Sequence, residues 1–276
     1  SFFTLTPYMA VVTAVDADHL DIYGTEKEYR AAFEEFVSLI RPNGVLLMKE
    51  NLPISPRLQK GVKIYTYSIE KGDFHAENIR IGGGEIIFDF VGPDVHISDV
   101  QLGVPVYVNL ENGIAAMAMA WMNGVSELEL KEAMATFAGV KRRFDFHIKR
   151  ENIVFLDDYA HHPEELKSSI ESVRKLYSDK KLSVVFQPHL YTRTRDLADE
   201  FSEALSLADE VYLLDIYPAR EEPIEGVTSQ MLLDKVQVAE KSIFSKEEFL
   251  AFTEQHTFEV LLMAGAGDLD LLIPTV

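Results

Sequence analysis

No cysteine occurs among the 276 residues. That excludes disulfides and thiolate metal sites, and it suits a reducing, cytoplasmic setting. Cations are scarce: 26 Lys and Arg stand against 45 Asp and Glu, for a net charge of −19. Nucleic-acid binding needs clustered Lys and Arg to neutralise phosphates, so no nucleic-acid partner is expected. Small anionic ligands held by a few local cations remain compatible with this balance. No apolar run approaches the roughly 18 residues that span a bilayer, and no signal peptide is visible, so no membrane association is expected. There is no initiator Met. The chain begins Ser1-Phe2-Phe3 and reads as a fragment or a processed product. An apolar fraction of 47% can supply real cores, and the length suits two ordinary α/β domains or one large one.

What is present is organised around Asp157-Asp158-Tyr159-Ala160-His161-His162-Pro163. This stretch follows Ile153-Val154-Phe155-Leu156, an apolar run closed by charge that reads as a buried strand. Pro163 then opens a segment with Leu166, Ile170, Val173 and Tyr177 on one helical face. Proline suits the first helical position, where its missing N–H would be unsatisfied anyway. Glu164 and Glu165 in the first turn and Lys175 near the end match the helix dipole. Two carboxylates, a phenol and two imidazoles therefore sit where a strand hands over to a helix, the edge at which open α/β sheets bind ligands.

Residues 9–15 form a strand candidate ending in Asp16-Ala17-Asp18-His19-Leu20-Asp21. Thr25 and Glu28 make a capping box before a helix face of Tyr29, Phe33, Phe36, Val37 and Ile40. Asn43-Gly44 is a turn into a strand over 45–48, which completes a strand–helix–strand unit. From 62 to 104, four short β-rich runs broken by Gly, Asp and Asn read as antiparallel strands of an added hairpin sheet. Residues 109–122 and 126–137 read as helices, the second ended by Gly139-Val140. The Ala/Met face of the first reads as close packing. A domain boundary falls at Lys141-Arg142-Arg143, which divides the chain into 1–140 and 141–276. The second part alternates strands over 183–186, 211–216 and 258–264 with helices, among them one carrying Leu197, Phe201 and Leu205 and shorter ones capped by Thr228 and Ser245. This predicts a mostly parallel sheet with helices on both faces.

Of the eight histidines, His19, His161, His162 and His189 lie in polar clusters just after predicted strands. His75, His96, His147 and His256 sit in ordinary contexts and read as structural or solvated. The Asp16–Asp21 cluster offers hard oxygens and one imidazole. It suits either Mg²⁺ beside substrate phosphates or a capped, solvated loop. Adjacent His161 and His162 lack the spacing of a zinc pair. The loop Gln187-Pro188-His189-Leu190-Tyr191-Thr192-Arg193-Thr194-Arg195 carries two arginines before a helix and can hold a carboxylate or phosphate. Gly265-Ala266-Gly267 lacks the third glycine of a dinucleotide fingerprint. The residues alone give an α/β enzyme using Mg²⁺ and anionic ligands, without naming a reaction.

The motifs together resemble the Mur ligases, and within them the alanine-adding branch. The matching stretches are SFFTLTP, VVTAVDADHLDIYG, NLENGIAAMAMA, FAGVKRRFD, FLDDYAHHPEE, FQPHLYTRTRDLADEF, EEPIEGVTS and MAGAGDLD, in the family's order from end to end. The resemblance implies a truncated central ATP-binding α/β domain over 1–140. A Rossmann-like C-terminal domain with a mostly parallel sheet is implied over 141–276. No glycine-rich phosphate loop with its Lys and Thr is present, so the chain alone is expected to be inactive and to self-associate through exposed apolar surface.

For the complete enzyme the resemblance implies ATP and Mg²⁺ as cofactors and UDP-N-acetylmuramate and L-alanine as substrates. ATP phosphorylates the muramoyl carboxylate, and the alanine amine attacks the acyl phosphate. A recycling ligase that joins a murein peptide to the same nucleotide sugar, and a non-catalytic nucleotide-binding module, are the alternatives. By the same resemblance, His19 matches the Mg²⁺ ligand, and Asn109 and Asn112 match asparagines near adenine. Arg143 matches an arginine at the ATP phosphates, and Asp158 and Tyr159 match residues at ribose and adenine. His161, His189 and Arg193 match the amino-acid pocket. Leu190 stands where the family often has arginine, which leaves the alanine carboxylate to Arg193 or Arg195.

Overall fold

The computed structural model describes residues 2–15 and 23–274, in two compact units. Unit one comprises residues 1–80 and 85–137, and unit two residues 81–84 and 138–276.

Unit one contains a three-stranded parallel sheet of β1 (Met9–Val12), β2 (Val45–Lys49) and β3 (Lys63–Tyr67), in that order. Helix α1 (Glu26–Ser38) links β1 to β2. Thr25 caps it by accepting from the Glu28 N–H at 3.2 Å. Its Val37 packs with Ile40 against Ala10, Val12, Leu46 and Met48. The first of the four β-rich runs thus joins the parallel sheet as β3, contrary to the antiparallel expectation. Alternating polarity does not encode strand direction, but the connection over 50–62 is long enough for a crossover, and parallel pairing needs one. The other three runs form a separate sheet of β4 (His75–Gly82), β5 (Glu85–Gly92) and β6 (Val95–Gln101), with β5 and β6 antiparallel.

Helix α2 (Tyr107–Met122) buries Leu110, Ile114, Ala115, Met117 and Ala118, the close packing expected of its small residues. A Cβ on Gly113 would meet the Met134 methyl at 2.8 Å, so α3 (Glu127–Thr136) approaches α2 closely there. Helix α3 is started by a complete Ser126–Glu129 capping box and stops at Thr136, short of the Gly139-Val140 expected to end it.

Unit two holds a six-stranded sheet. Its strands are β7 (Asp145–Lys149), β8 (Val154–Asp158), β9 (Leu182–Phe186), β10 (Glu210–Leu214), β11 (Glu240–Phe244) and β12 (Val260–Ala264). Their spatial order is β11-β10-β9-β12-β8-β7, and β7 alone is antiparallel to its neighbour. Strands β9, β10 and β12 are buried at every position, as expected for parallel strands covered on both faces.

One face packs on α4 (Pro163–Leu176) and α6 (Ala198–Leu205), where Phe186 meets Phe201 at 5.2 Å between ring centroids. The other face, with Phe155, Val185, Tyr212 and Met263, packs on Phe249 of α8 (Lys246–Thr253) and on Leu269 and Leu272 of a closing 3-10 turn. Helix α7 (Ser229–Leu233) is capped by Thr228, as expected. The predicted helix carrying Phe201 and Leu205 is α6, and the residues before it, read as a loop, form a further short helix α5 (Tyr191–Asp196) that meets α6 at Leu197. Strand β12 lies between β8 and β9. The chain crosses the sheet in one direction from β7 to β11 and only β12 returns, so the C-terminal ends of β8, β12 and β9 lie side by side at one edge.

Candidate functional site

The edge of the unit-two sheet is built from four strand ends. Strand β8 runs further than the apolar pattern suggested and includes both Asp157 and Asp158 as its last residues. Asp158 O accepts from the Gly265 N–H at 3.1 Å, so the segment after β12 closes directly onto β8. Beside it, Gln187 N–H donates to Ala264 O at 3.0 Å. The β9 end and the segment after β10 then exchange two backbone bonds. Tyr217 donates to Pro188 O at 2.8 Å, and Leu190 donates to Tyr217 O at 2.9 Å.

Asp158 is half-buried, and burial raises its carboxyl above the usual range. Hydrogen bonds from Ser169 of α4 and from the Phe144 and Tyr159 N–H groups, with the charge of Arg143, offset part of that rise. The Tyr159 ring lies beneath two guanidinium groups, with Arg142 at 4.8 Å and Arg143 at 5.7 Å from its centroid. His161 is turned inward by its own neighbours. Its Nδ1 lies 2.9 Å from Tyr159 O and 3.3 Å from Glu165. Glu165 also accepts from the His161 and His162 N–H groups, at 3.1 and 3.3 Å. His162 serves as the N-cap residue of α4, where Pro163 takes the first position as expected.

His161 and His189 face each other with ring centroids 6.3 Å apart. His189 stacks on Tyr217 at 5.6 Å, and its Nδ1 is buried without a hydrogen-bond partner. Burial, then the charges of Arg193 and His161, lower the His189 pKa, so the ring is neutral at neutral pH. Arg193 Nη1 reaches His161 O at 3.5 Å. Arg195 instead pairs with its exposed neighbour Asp196 at 2.7 Å. Both arginines stand within α5, not in the loop before a helix where the sequence pattern placed them.

The loop itself ends at Leu190, whose φ of +70° is strained for a residue with a Cβ. Buried Thr194 holds that backbone, donating to Leu190 O through its N–H at 3.1 Å and its hydroxyl at 2.8 Å.

In unit one, Asn112 Nδ2 donates to Asn109 Oδ1 at 3.4 Å, and Asn109 Nδ2 to Val104 O at 3.4 Å. The pair shares one face of α2 at its N-terminal end. His19 and the Asp16–Asp21 cluster lie outside the described residues.

Three groups of unit two were not legible in the sequence. Gln187 is buried. Its amide donates to Asp268 at 3.0 Å while its Oε1 has no partner. A Cβ on Gly265, whose φ is +145°, would approach Gln187 O to 2.8 Å, so this glycine serves a close backbone approach. Arg142, passed over in favour of Arg143, bonds both Gly265 O and Gly267 O. His147, read as structural or solvated, lies 2.7 Å from the buried Asp157, whose carboxyl is raised chiefly by burial. The β7–β8 register shifts between Phe146 and Ile148, and such a bulge re-aims the residue it contains.

Asp145, His147 and Asp157 bring three possible ligand atoms within 4.8 Å of one another, the one such trio among the described residues. His147 and Asp157 already satisfy each other, and Arg142 Nε stands 4.0 Å from Asp157 as a counter-charge. The trio therefore reads as an ion-pair cluster, and the guanidinium beside it disfavours a further cation. The Asp158–Tyr159–Arg143 group does fit a nucleotide. It offers a carboxylate to accept from ribose hydroxyls, a ring to lie on a base, and a guanidinium for phosphate.

A family model described as "Mur ligase middle domain" matches residues 2–120, and one described as "Mur ligase, glutamate ligase domain" matches residues 142–275. A UDP-N-acetylmuramate–L-alanine ligase of Parabacteroides distasonis is 60% identical, and the alignment covers 100% of this chain and 60% of that protein. The protein of the same name from Phocaeicola vulgatus is 57% identical with the same coverage. The crystal structure of UDP-N-acetylmuramate–alanine ligase from Thermotoga maritima superposes with a TM-score of 0.75 at 25% identity. It is matched over 98% of this chain and 58% of its own. The chain thus spans about 60% of the length of the curated relatives it matches. Among the described residues, no helix is long and apolar enough to cross a membrane.

Proposed function

The chain belongs to the Mur ligase family, and from that premise we propose that the full-length protein containing it ligates L-alanine to UDP-N-acetylmuramate in peptidoglycan synthesis, spending ATP. The observation that carries this reading is the 60% identity, over the whole chain, to a relative bearing that name. A cytoplasmic location belongs to the same proposal.

The chemistry asks for three things: a nucleotide held by its base and sugar, a cation for the alanine carboxylate, and a base for the alanine ammonium. In unit two, Asp158 accepts from ribose hydroxyls, the Tyr159 ring packs on adenine, and Arg143 faces phosphate. A carboxylate is a poor electrophile, and phosphorylation supplies a leaving group. The alanine amine must be unprotonated to attack the resulting acyl phosphate. His189 is kept neutral by burial, so it accepts that proton. Arg193 takes the alanine carboxylate. Its guanidinium lies beside His161, whereas that of Arg195 is occupied by Asp196. Mg²⁺, when bound, neutralises charge on the transferring phosphoryl group. His19 is the residue the family resemblance offers it.

The test compares amines with the full-length protein, ATP, Mg²⁺ and UDP-N-acetylmuramate. Phosphate release is expected with L-alanine and not with a murein tripeptide. Preference for the tripeptide would make the protein a recycling ligase. Nucleotide binding without release for either amine would leave a binding module.

A further inference from the structure

Arg142 carries more contacts at the site edge than any role yet given to it requires. Its carbonyl accepts from the Tyr159 N–H at 2.6 Å. Its Nη2 donates to Gly265 O at 2.9 Å and to Gly267 O at 3.0 Å. Its Nη1 lies 3.5 Å from Asp270, and its guanidinium carbon 4.8 Å from the Tyr159 centroid. A φ of +60° is strained for an arginine, and such a conformation persists where surrounding bonds over-determine it. One residue therefore joins the end of β8 to the end of β12 and covers the ring between them.

We propose that Arg142 is a positioning residue that fixes Tyr159 and Asp158 for the adenosine of ATP by clamping the segment after β12. The inference rests on the nucleotide role given above to Asp158 and Tyr159. Arg142 acts through the platform, and Arg143 is the arginine left to meet phosphate. The carboxylates beside Arg142 support this division. Asp157 and Asp270 supply negative charge on the Arg142 side, which would oppose a phosphate there and favours a guanidinium held in place. Lysine cannot replace it. An ammonium can reach two carbonyls, as Lys241 does, but it has no planar group to lay over the Tyr159 ring at the same time.

The test uses the full-length protein in four forms: parent, Arg142→Ala, Tyr159→Ala and the double variant. Arg142→Lys serves as the milder substitution should Arg142→Ala fold poorly. Arg142→Ala is expected to raise the KM for ATP about tenfold, with kcat and the KM for L-alanine within about threefold of the parent. In the Tyr159→Ala background the same change is expected to add less than about twofold, because residues acting through one another are not additive. Arg142→Lys is expected to raise the KM for ATP by at least about threefold. An unchanged ATP KM in both Arg142 variants, or full multiplication of the two effects in the double variant, overturns the proposal.

Calorimetric titration of ADP into the same proteins separates this inference from the functional reading. If the parent shows no alanine-dependent turnover, the ligase reading fails. ADP binding then decides Arg142 alone: weaker binding in its variants supports the clamp, and unchanged binding refutes it.

Discussion

Glu210 offers a stability test that leaves the candidate site untouched. It opens β10 at the N-terminal edge of the unit-two sheet, opposite the edge that carries the site, and is only 1% exposed. Its carboxylate accepts from Lys181 Nζ at 2.6 Å, from the Ser183 hydroxyl, and faces His256 Nε2 at 3.3 Å. Burial pushes its pKa up, but these bonds outweigh it and hold the carboxyl below the usual range. Glu210→Ala removes the common acceptor. The Lys181 side chain, half exposed, turns to water, but the Ser183 hydroxyl is buried and stays unsatisfied. An orphaned buried hydroxyl costs about 1–3 kcal/mol, and breaking a buried ion pair about 3–5 kcal/mol. Because one partner is half exposed, the low end applies, about 3 kcal/mol.

Trp121 lies in α2 of unit one, so its fluorescence does not report this strand. Amide hydrogen exchange of β9 and β10 at pH 7 does. The slowest amides are expected to exchange about a hundredfold faster in the variant, as a change of that size requires. Acceleration below about threefold would refute the reasoning. The sign with pH is fixed as well. A folded pKa below the unfolded value, about 4.3 for Glu, gives stability that is present above that value. It is lost as pH falls through the folded value, so the urea midpoints of parent and variant should converge in acid.

At the site edge, Arg193→Ala in the full-length protein should raise the KM for L-alanine about ten- to hundredfold, the loss of one charge-assisted contact of about 1.5–3 kcal/mol. The KM for ATP should stay within about twofold, and equal effects would place Arg193 elsewhere. The lowered His189 pKa sets the acid limb of kcat/KM for L-alanine below the ordinary histidine value of 6.5. Activity should fall as pH drops through that limb, and His189→Gln should abolish the limb along with most activity. A limb that persists in the variant would assign it to another group. The 276 residues by themselves should release no phosphate from ATP, since no glycine-rich phosphate loop occurs among them. They should also self-associate through Leu5, Tyr8 and Ile64, which are about half exposed, and light scattering would read a strict monomer as contrary.

The core of unit two was legible because its signals are local. An apolar run, a proline at the first helical position and acid in the first turn fix β8 and α4 with no knowledge of the rest. The polar clusters holding His161 and His189 were legible because each follows a strand, and parallel strands deliver their C-terminal ends to one edge, whereas their grouping with Arg193 came from the family resemblance alone. Long-range facts were not. The parallel pairing of β3 depends on its crossover, and nothing in its own residues reports that. Arg142 and Arg143 are adjacent and chemically alike, and only the left-handed backbone at Arg142 decides which one binds the Gly265–Gly267 carbonyls. His147 meets Asp157 through an antiparallel pairing with a bulge that the sequence pattern did not reveal. Gly265 and Gly267 fail a dinucleotide fingerprint because their task is different: they let the backbone pass close to Gln187.

The central claim is ligation through a phosphorylated carboxylate, and oxygen transfer tests it most directly. UDP-N-acetylmuramate labelled with ¹⁸O in both carboxylate oxygens would be incubated with the full-length protein, ATP, Mg²⁺ and L-alanine. Phosphorylation makes a carboxylate oxygen the bridge to phosphorus, and attack by the amine expels it with the phosphate. The expected result is one ¹⁸O in each inorganic phosphate, one retained in the new amide, and ADP formed in equal amount. Unlabelled phosphate, or label appearing in AMP, would contradict the account.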